Sequence, residues 1–275
     1  MMKTPTESTP NRSRSVSVRR FPVGDLDLDA IVVEEPLEMR VEGRSLAVTM
    51  RTPGHDRELV AGFLYTEGCV DGADDVQALE YVRDPLDPQD NTVDVRLAAG
   101  VRMDEGRFAS AQRAFYASSS CGICGKATIE SVLSGAPPLQ NPIRVNAEYL
   151  LDLPDRMRSL QSTFERTGGL HAAALFTPEG EVEVLREDVG RHNAVDKVLG
   201  WRLLADRVPV EDAVMLISGR AGFEIVQKAL VARVPVVAAV GAPTTLAVSL
   251  ANEAGIQLVG FLRDGCFNQY SPGMG

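Results

Sequence analysis

The chain has few cysteines, 4 in 275 residues, and few aromatics, 5% with a single Trp. Four cysteines with one Cys-x-x-Cys spacing cannot staple a small secreted scaffold, and a chain this long needs no such framework. A secretory leader is missing too: the first twenty residues hold five basic residues, one Glu and many Ser, Thr and Pro, with no apolar segment. Arg19 and Arg20 before Phe21 imitate a twin-arginine signal, but Asp25, Asp27 and Asp29 follow where an uncharged stretch is required. A cytoplasmic protein is expected. The one long uncharged run, 234–252, is broken by two prolines, Gly241, Thr244, Thr245 and Ser249, so it reads as a buried strand plus helix rather than a membrane span. Positive charge is in deficit, with 28 Lys and Arg against 38 Asp and Glu. The net −10 repels nucleic-acid backbones and anionic lipid, while leaving room for a compact nucleotide pocket.

Hydrophobic residues at 44% and charged residues at 24% are those of a globular protein, so disorder is expected locally and not throughout. Residues 1–20 read as a disordered tail. Residues 21–116 read as a small α+β domain: short β-prone runs at 30–33, 37–41 and 45–50, a hairpin signal at Glu42-Gly43-Arg44, a helix over 55–67 covering that sheet, and an alternating strand at 91–97. Residues 117–145 read as a mobile linker, because Ser118-Ser119-Ser120-Cys121-Gly122-Ile123-Cys124-Gly125 is too small and glycine-rich for packed core.

From residue 146 to 275 the pattern becomes α/β. A helix is expected over 149–166, a hairpin at 170–186 around Pro178-Glu179-Gly180, and then helix and strand three times over, at 191–204, 213–218, 223–233, 235–240, 244–254 and 257–262. Continuous apolar strands such as Ala213-Val214-Met215-Leu216-Ile217 suit a sheet buried on both faces, hence a three-layer α/β/α sandwich. That order resembles the cytidine deaminase-like fold. Zinc deaminases carry H-x-E and P-C-x-x-C at two helix starts, where this chain has Gly190-Arg191-His192-Asn193 and Ser218-Gly219-Arg220-Ala221-Gly222. The scaffold is therefore expected without the zinc chemistry, and no metal site is expected.

In such a sheet ligands gather beyond the carboxyl ends of the strands. Four corners fall there: the start of the helix at Arg191 and His192, the Ser218-Gly219-Arg220 turn, the Gly241-Ala242-Pro243-Thr244 turn, and Phe261-Leu262-Arg263-Asp264-Gly265-Cys266. Three arginines, hydroxyls and small residues on one edge fit phosphate plus a hydrogen-bonding base. Taken singly, each corner also reads as ordinary turn chemistry, with Asp188 and Asn193 as helix caps. His171, inside an apolar strand, reads as core. The pair Cys121 and Cys124 supports three readings: half a zinc site, a dithiol oxidoreductase, or a sulfur carrier. Zinc needs more ligands than the isolated Cys69 and Cys266 offer.

The segments Ser120 to Gly125, Glu187 to Lys197, Ser218 to Glu224 and Gly241 to Ala247 together make the chain similar to the FdhD family of formate dehydrogenase accessory sulfurtransferases. The resemblance implies a cytoplasmic sulfurtransferase that takes persulfide sulfur from a cysteine desulfurase and passes it to the molybdenum bis-molybdopterin guanine dinucleotide cofactor, which formate dehydrogenase then uses. It also implies a homodimer. Cys121 would bear the persulfide and Cys124 would relay or release the sulfur. Phe261, Leu262, Arg263, Asp264, Gly265 and Cys266 would contact the cofactor, with Arg191, His192, Ser218, Gly219, Arg220 and Thr244 receiving guanine and phosphates. A thiol–disulfide oxidoreductase and a noncatalytic cofactor chaperone are the alternatives.

Overall fold

A computed structural model describes residues 11–82, 90–103, 105–117 and 125–271. Cys121 and Cys124 lie outside the described residues. The chain begins with β1 (Ser13–Arg20) and β2 (Asp25–Val32), an antiparallel ribbon. The sequence reading placed 13–20 in a disordered tail; instead Ser and Val alternate against the Leu and Asp of β2, a period-2 pattern that the high Ser and Arg content conceals. Next come β3 (Glu35–Val41) and β4 (Arg44–Arg51), joined by Glu42 and Gly43 at φ 51 and 75. Left-handed backbone at both positions matches the twist of a two-residue hairpin, as the turn signal implied. After α1 (Asp56–Thr66), β5 (Val76–Tyr81) and β6 (Thr92–Leu97) complete a four-stranded sheet of order β4-β3-β6-β5.

Helices α2 (Glu105–Ala117) and α3 (Gly125–Gly135) flank the thiol pair in the chain. The expected linker does not extend to 145. Ile129, Ala136 and Leu139 are buried in the main core, and the Leu139 N–H donates to Ala254 O at 2.9 Å. The single helix expected over 149–166 is three pieces, α4 (Ala147–Leu151), α5 (Leu153–Leu160) and α6 (Ser162–Thr167). Pro154 lacks an N–H to continue α4 but suits the first turn of α5. At α6 the N–H groups of Thr163 and Phe164 donate to the distant Glu187 carboxylate at 3.2 and 2.7 Å, a tertiary cap that no local pattern reveals.

Strands β7 (His171–Phe176) and β8 (Val182–Asp188), helix α7 (Arg191–Leu204), β9 (Val214–Ile217), α8 (Phe223–Val231), β10 (Val236–Ala239), α9 (Thr245–Ala254) and β11 (Gln257–Arg263) follow the expected alternation. A last strand, β12 (Cys266–Gln269), was not expected; Asp264 and Gly265, at φ 54 and 71, turn the chain back onto β11. The sheet order is β12-β11-β10-β9-β7-β8, with β9, β10 and β11 parallel and β7, β8 and β12 antiparallel to their neighbours.

Alternate residues of the central strands divide between two cores. Leu175, Met215, Ile217 and Val237 join the core of α7, α8 and α9, whereas Phe176, Val214, Leu216 and Val236 join Leu150, Leu153 and Met157 of α4 and α5. Burial on both faces is what the uninterrupted apolar strands require. Helix α1 reaches β6 and shares one core with the small sheet, in which Leu59, Phe63 and Leu64 join Leu37, Met39 and Val93, and it also pairs closely along α7, which the sequence reading did not anticipate. Glycines explain that close pairing: a Cβ on Gly62 would lie 1.8 Å from Asp196 O, and one on Gly200 1.8 Å from Glu58 O. The two backbones touch there, which no larger residue permits.

Candidate functional site

The carboxyl edge of the parallel strands is stitched into one rim by main-chain hydrogen bonds. The N–H groups of Val240, Gly241, Thr244 and Phe261 donate to the carbonyls of Ile217, Gly219, Ala221 and Gly241 at 3.0, 3.0, 3.1 and 3.0 Å. The turns after β9 and β10 therefore run side by side, with a parallel bridge between Ala221 and Pro243. Such close passage demands glycine. A Cβ on Gly241 would sit 2.7 Å from Gly219 O, and one on Gly260 would sit 2.8 Å from Pro243 Cδ.

Phe261 adopts φ 55, a left-handed conformation that costs a bulky residue about 1–3 kcal/mol. The ladder to β12 shifts register between Gly260 and Arg263, so this bulge re-aims the end of β11. The Arg263 guanidinium lies 5.9 Å from the Phe261 ring centre and 3.9 Å from Asp264, and Arg263, Asp264, Gly265 and Cys266 are exposed. Leu262 departs from the expected contact surface: its side chain is 1% exposed and belongs to the core under α4 and α5.

The start of α7 adds Arg191 and His192. His171 belongs beside them, correcting its reading as core. Because β7 runs antiparallel to β9, the first residue of β7 stands at the carboxyl edge of β9. A Cβ on Gly219 would lie 3.3 Å from His171 Nδ1 and 3.8 Å from Arg191 Cβ, which places the three residues together. Burial, followed by the charges of Arg191 and His192, holds the His171 imidazole below its usual pKa, so the ring is neutral at pH 7. His192 Nε2 is 3.4 Å from Glu224 Oε2, and His192 is the main reason that this carboxyl titrates below the usual range. That separation is a polar contact without hydrogen-bond alignment. Arg191 Nε and His192 Nε2 are both buried atoms with no hydrogen-bond partner among the described residues. Buried polar atoms are normally satisfied, so these two set the first turn of α7 apart from the rest of the rim, although Arg12, Glu183 and Arg202 carry one each elsewhere.

The other predicted contacts are partly structural. Ser218 Oγ accepts the Ala172 N–H at 2.9 Å, tying β9 to β7. Thr244 Oγ1 accepts the Ala247 N–H at 3.3 Å as the cap of α9. Arg220 is exposed between them.

Most of the segment Glu187 to Lys197 is not at the rim. Asp188 and Lys197, each fully buried, pair at 2.7 Å. Asp188 also accepts the N–H of Gly190 and the side-chain amide of Asn193, at 2.8 and 2.9 Å, while Lys197 donates to Thr52 O at 2.9 Å. Asp196 pairs with Lys228 at 2.9 Å and accepts from Thr66 at 2.9 Å. These residues seat α7 against β4, α1 and α8, which leaves Arg191 and His192 as the segment's contribution to the rim. The thiols differ in the same way. Cys69 is buried and its pKa is pushed up to about 12 by burial, whereas Cys266 is exposed at the rim. Among the described residues no group of three His, Cys, Asp or Glu side chains could hold a metal ion, and no helix is long and apolar enough to cross a membrane.

The protein is a mixed α/β fold whose glycine-rich edge, at the carboxyl ends of the parallel strands, carries Arg, imidazole and hydroxyl groups, the place where open sheets of this class gather ligands. Comparison with known proteins specifies it further. Residues 32–274 match the FdhD/NarQ family, and the chain belongs to that family. It is 50% identical over 249 residues to the sulfur carrier protein FdhD of Streptomyces avermitilis, covering 88% of this chain and 87% of that one. Against the sulfur carrier protein FdhD of Mycobacterium tuberculosis it is 49% identical over 251 residues, covering 88% and 90%. The fold is similar to the crystal structure of a candidate formate dehydrogenase accessory protein from Desulfotalea psychrophila, with a TM-score of 0.71 at 22% identity, covering 94% of this chain and 96% of that one.

Proposed function

We propose that this protein is a sulfurtransferase that carries persulfide sulfur from a cysteine desulfurase to the molybdenum bis-molybdopterin guanine dinucleotide cofactor, for use by formate dehydrogenase. The observation that carries the reading is the Cys121/Cys124 pair in a chain about half identical to proteins named sulfur carriers. In the first step the Cys121 thiolate attacks the outer sulfur of the desulfurase persulfide and the desulfurase thiolate leaves, without net redox change. In the second, the Cys124 thiolate attacks Cys121 Sγ and hydrosulfide departs toward molybdenum. The two thiols supply the two electrons and close as a disulfide, which a cellular dithiol reductant reopens.

The cofactor is substrate here, held by its nucleotide ends. Arg191, His192, Ser218, Gly219, Arg220 and Thr244 would receive guanine and phosphates, and the exposed part of the Phe261 to Cys266 turn would meet the rest. Binding through remote groups positions a reactive metal that the protein need not ligate. The C-terminal scaffold is read as cytidine deaminase-like, supported by the strand order β8-β7-β9-β10-β11 with β7 antiparallel. The smaller N-terminal α+β part and the thiol-bearing connector complete the division into domains. Two copies form a homodimer in the cytoplasm.

The test is intact mass after incubation with a cysteine desulfurase and cysteine. Wild type gains one labile sulfur, Cys121→Ala gains none, and Cys124→Ala gains it but fails to activate formate dehydrogenase. A sulfur-free wild type, or full activation by Cys121→Ala, refutes the reading.

A further inference from the structure

The chain has 3 histidines, and two of them face a carboxylate of their own. His55 Nδ1 lies 3.4 Å from Glu58 Oε2, and His192 Nε2 lies 3.4 Å from Glu224 Oε2. His171 differs. Asp188 stands directly across the ladder between β7 and β8 and so shares its face. That carboxylate is already committed, to Lys197 at 2.7 Å, the Gly190 N–H at 2.8 Å and the Asn193 amide at 2.9 Å. On α8 the Glu224 carboxylate is taken by His192, and the turn after β9, Ser218-Gly219-Arg220-Ala221-Gly222, brings a cation and no carboxylate. Burial, then the charges of Arg191 and His192 on α7, disfavour a proton on His171, and Asp188 offsets them only in part. The half-buried ring nevertheless lies along bare backbone at the rim: a Cβ on Gly219 would stand 3.3 Å from His171 Nδ1 and 3.5 Å from its Cε1.

We propose that His171 is a further ligand-contacting residue of the rim, which takes up a proton as the pyrophosphate of a guanine dinucleotide enters beside Gly219 and then donates a charge-assisted hydrogen bond to it. This rests on the nucleotide reading above and adds to it a residue that the reading does not contain. The proton comes from solvent, and no bond of the nucleotide forms or breaks. Pyrophosphate brings the counter-charge that Glu58 and Glu224 give the other two imidazoles and that Asp188, held by Lys197, does not give this one. A titratable ring suits a corner already occupied by Arg191 and His192, because it adds positive charge only when an anion is there to balance it. The sign follows: the free protein holds the ring neutral at pH 7 and the complex holds it charged, so binding strengthens as pH falls.

Calorimetry with guanosine diphosphate mannose tests this on the full chain. Both phosphates of that probe are esterified and keep a fixed charge between pH 6 and 8, so a proton taken up on binding belongs to the protein. Wild type binds about tenfold more tightly at pH 6.0 than at pH 8.0, the equivalent of one unit of pKa. At pH 6.5 it takes up roughly half a proton, read from the dependence of the heat on the ionisation enthalpy of the buffer. His171→Asn binds equally at the two pH values and takes up none, whereas His192→Asn binds more weakly with the slope retained. The imidazole Cε1–H signals of the wild-type protein, assigned with His55→Asn and His192→Asn, give a second reading that does not depend on how His171→Asn folds: saturating probe raises the titration midpoint of His171. Binding with no pH slope, a slope that survives in a folded His171→Asn, or an unmoved His171 midpoint overturns this role and leaves the nucleotide reading standing. Absence of binding at every pH refutes both.

Discussion

Helix α7 separates two regions that the same eleven residues serve. At its first turn Arg191 and His192 present buried nitrogen atoms that have no hydrogen-bond partner among the described residues, whereas Asp188, Asn193, Asp196 and Lys197 are bonded to partners that include residues of β4, α1 and α8. The under-satisfied region is the part that the proposed function assigns to a ligand, and the saturated region holds α7 in place. A motif can therefore be long because its seat is demanding, while the part that touches a ligand is short.

The contrast breaks most sharply at Lys197. Replacing it by Met leaves Asp188 buried without its cation, which should destabilise the fold by about 3–5 kcal/mol in urea unfolding. Gly62→Ala comes next: although Ala is the better helix former, its Cβ would meet Asp196 O at 1.8 Å, and forcing α1 from α7 should cost about 1–3 kcal/mol by the same measurement. On the rim the order of effects reverses. Arg191→Ala should weaken guanosine diphosphate binding about tenfold in calorimetry while shifting stability by less than about 0.5 kcal/mol. Equal loss of stability in Arg191→Ala and Lys197→Met would erase the distinction between the two regions.

The smallest effect is pH-dependent. His171 has its folded pKa below the unfolded value, so the unfolded chain takes up the proton first as pH falls. Its contribution to stability is complete above about pH 6.5 and is lost on descending through the lower folded value. Melting temperatures between pH 7.5 and 5.5 should thus fall less steeply in His171→Asn than in wild type; parallel curves would remove His171 from the charged cluster.

Much of the C-terminal half was legible in the sequence because strands buried on both faces are continuous apolar runs, such as 213–217, and each helix between them opens at a Gly or Thr. The gathering of the turns on one edge followed from that order, since the carboxyl edge of a parallel sheet is defined once the strands are. What stayed hidden is tertiary. His171 reaches the rim through an antiparallel neighbour, Leu262 turns inward at a bulge, and the carboxylate capping α6 comes from Glu187 across the fold. The ribbon at 13–32 escaped because its apolar alternation is diluted by Ser and charge, and its Leu residues face outward.

The meeting of Gly62 with Gly200 has a consequence for how the molecule is made. During synthesis α1 leaves the ribosome with an apolar flank whose counterpart is still about a hundred residues from being translated. The early portion therefore cannot finish folding ahead of the late one, and a shortened product ending before residue 191 would expose the flank of α1 that α7 covers. Quality-control proteases should recognise such fragments readily, so truncated expression products of this chain ought to be scarce in cells while the complete polypeptide persists.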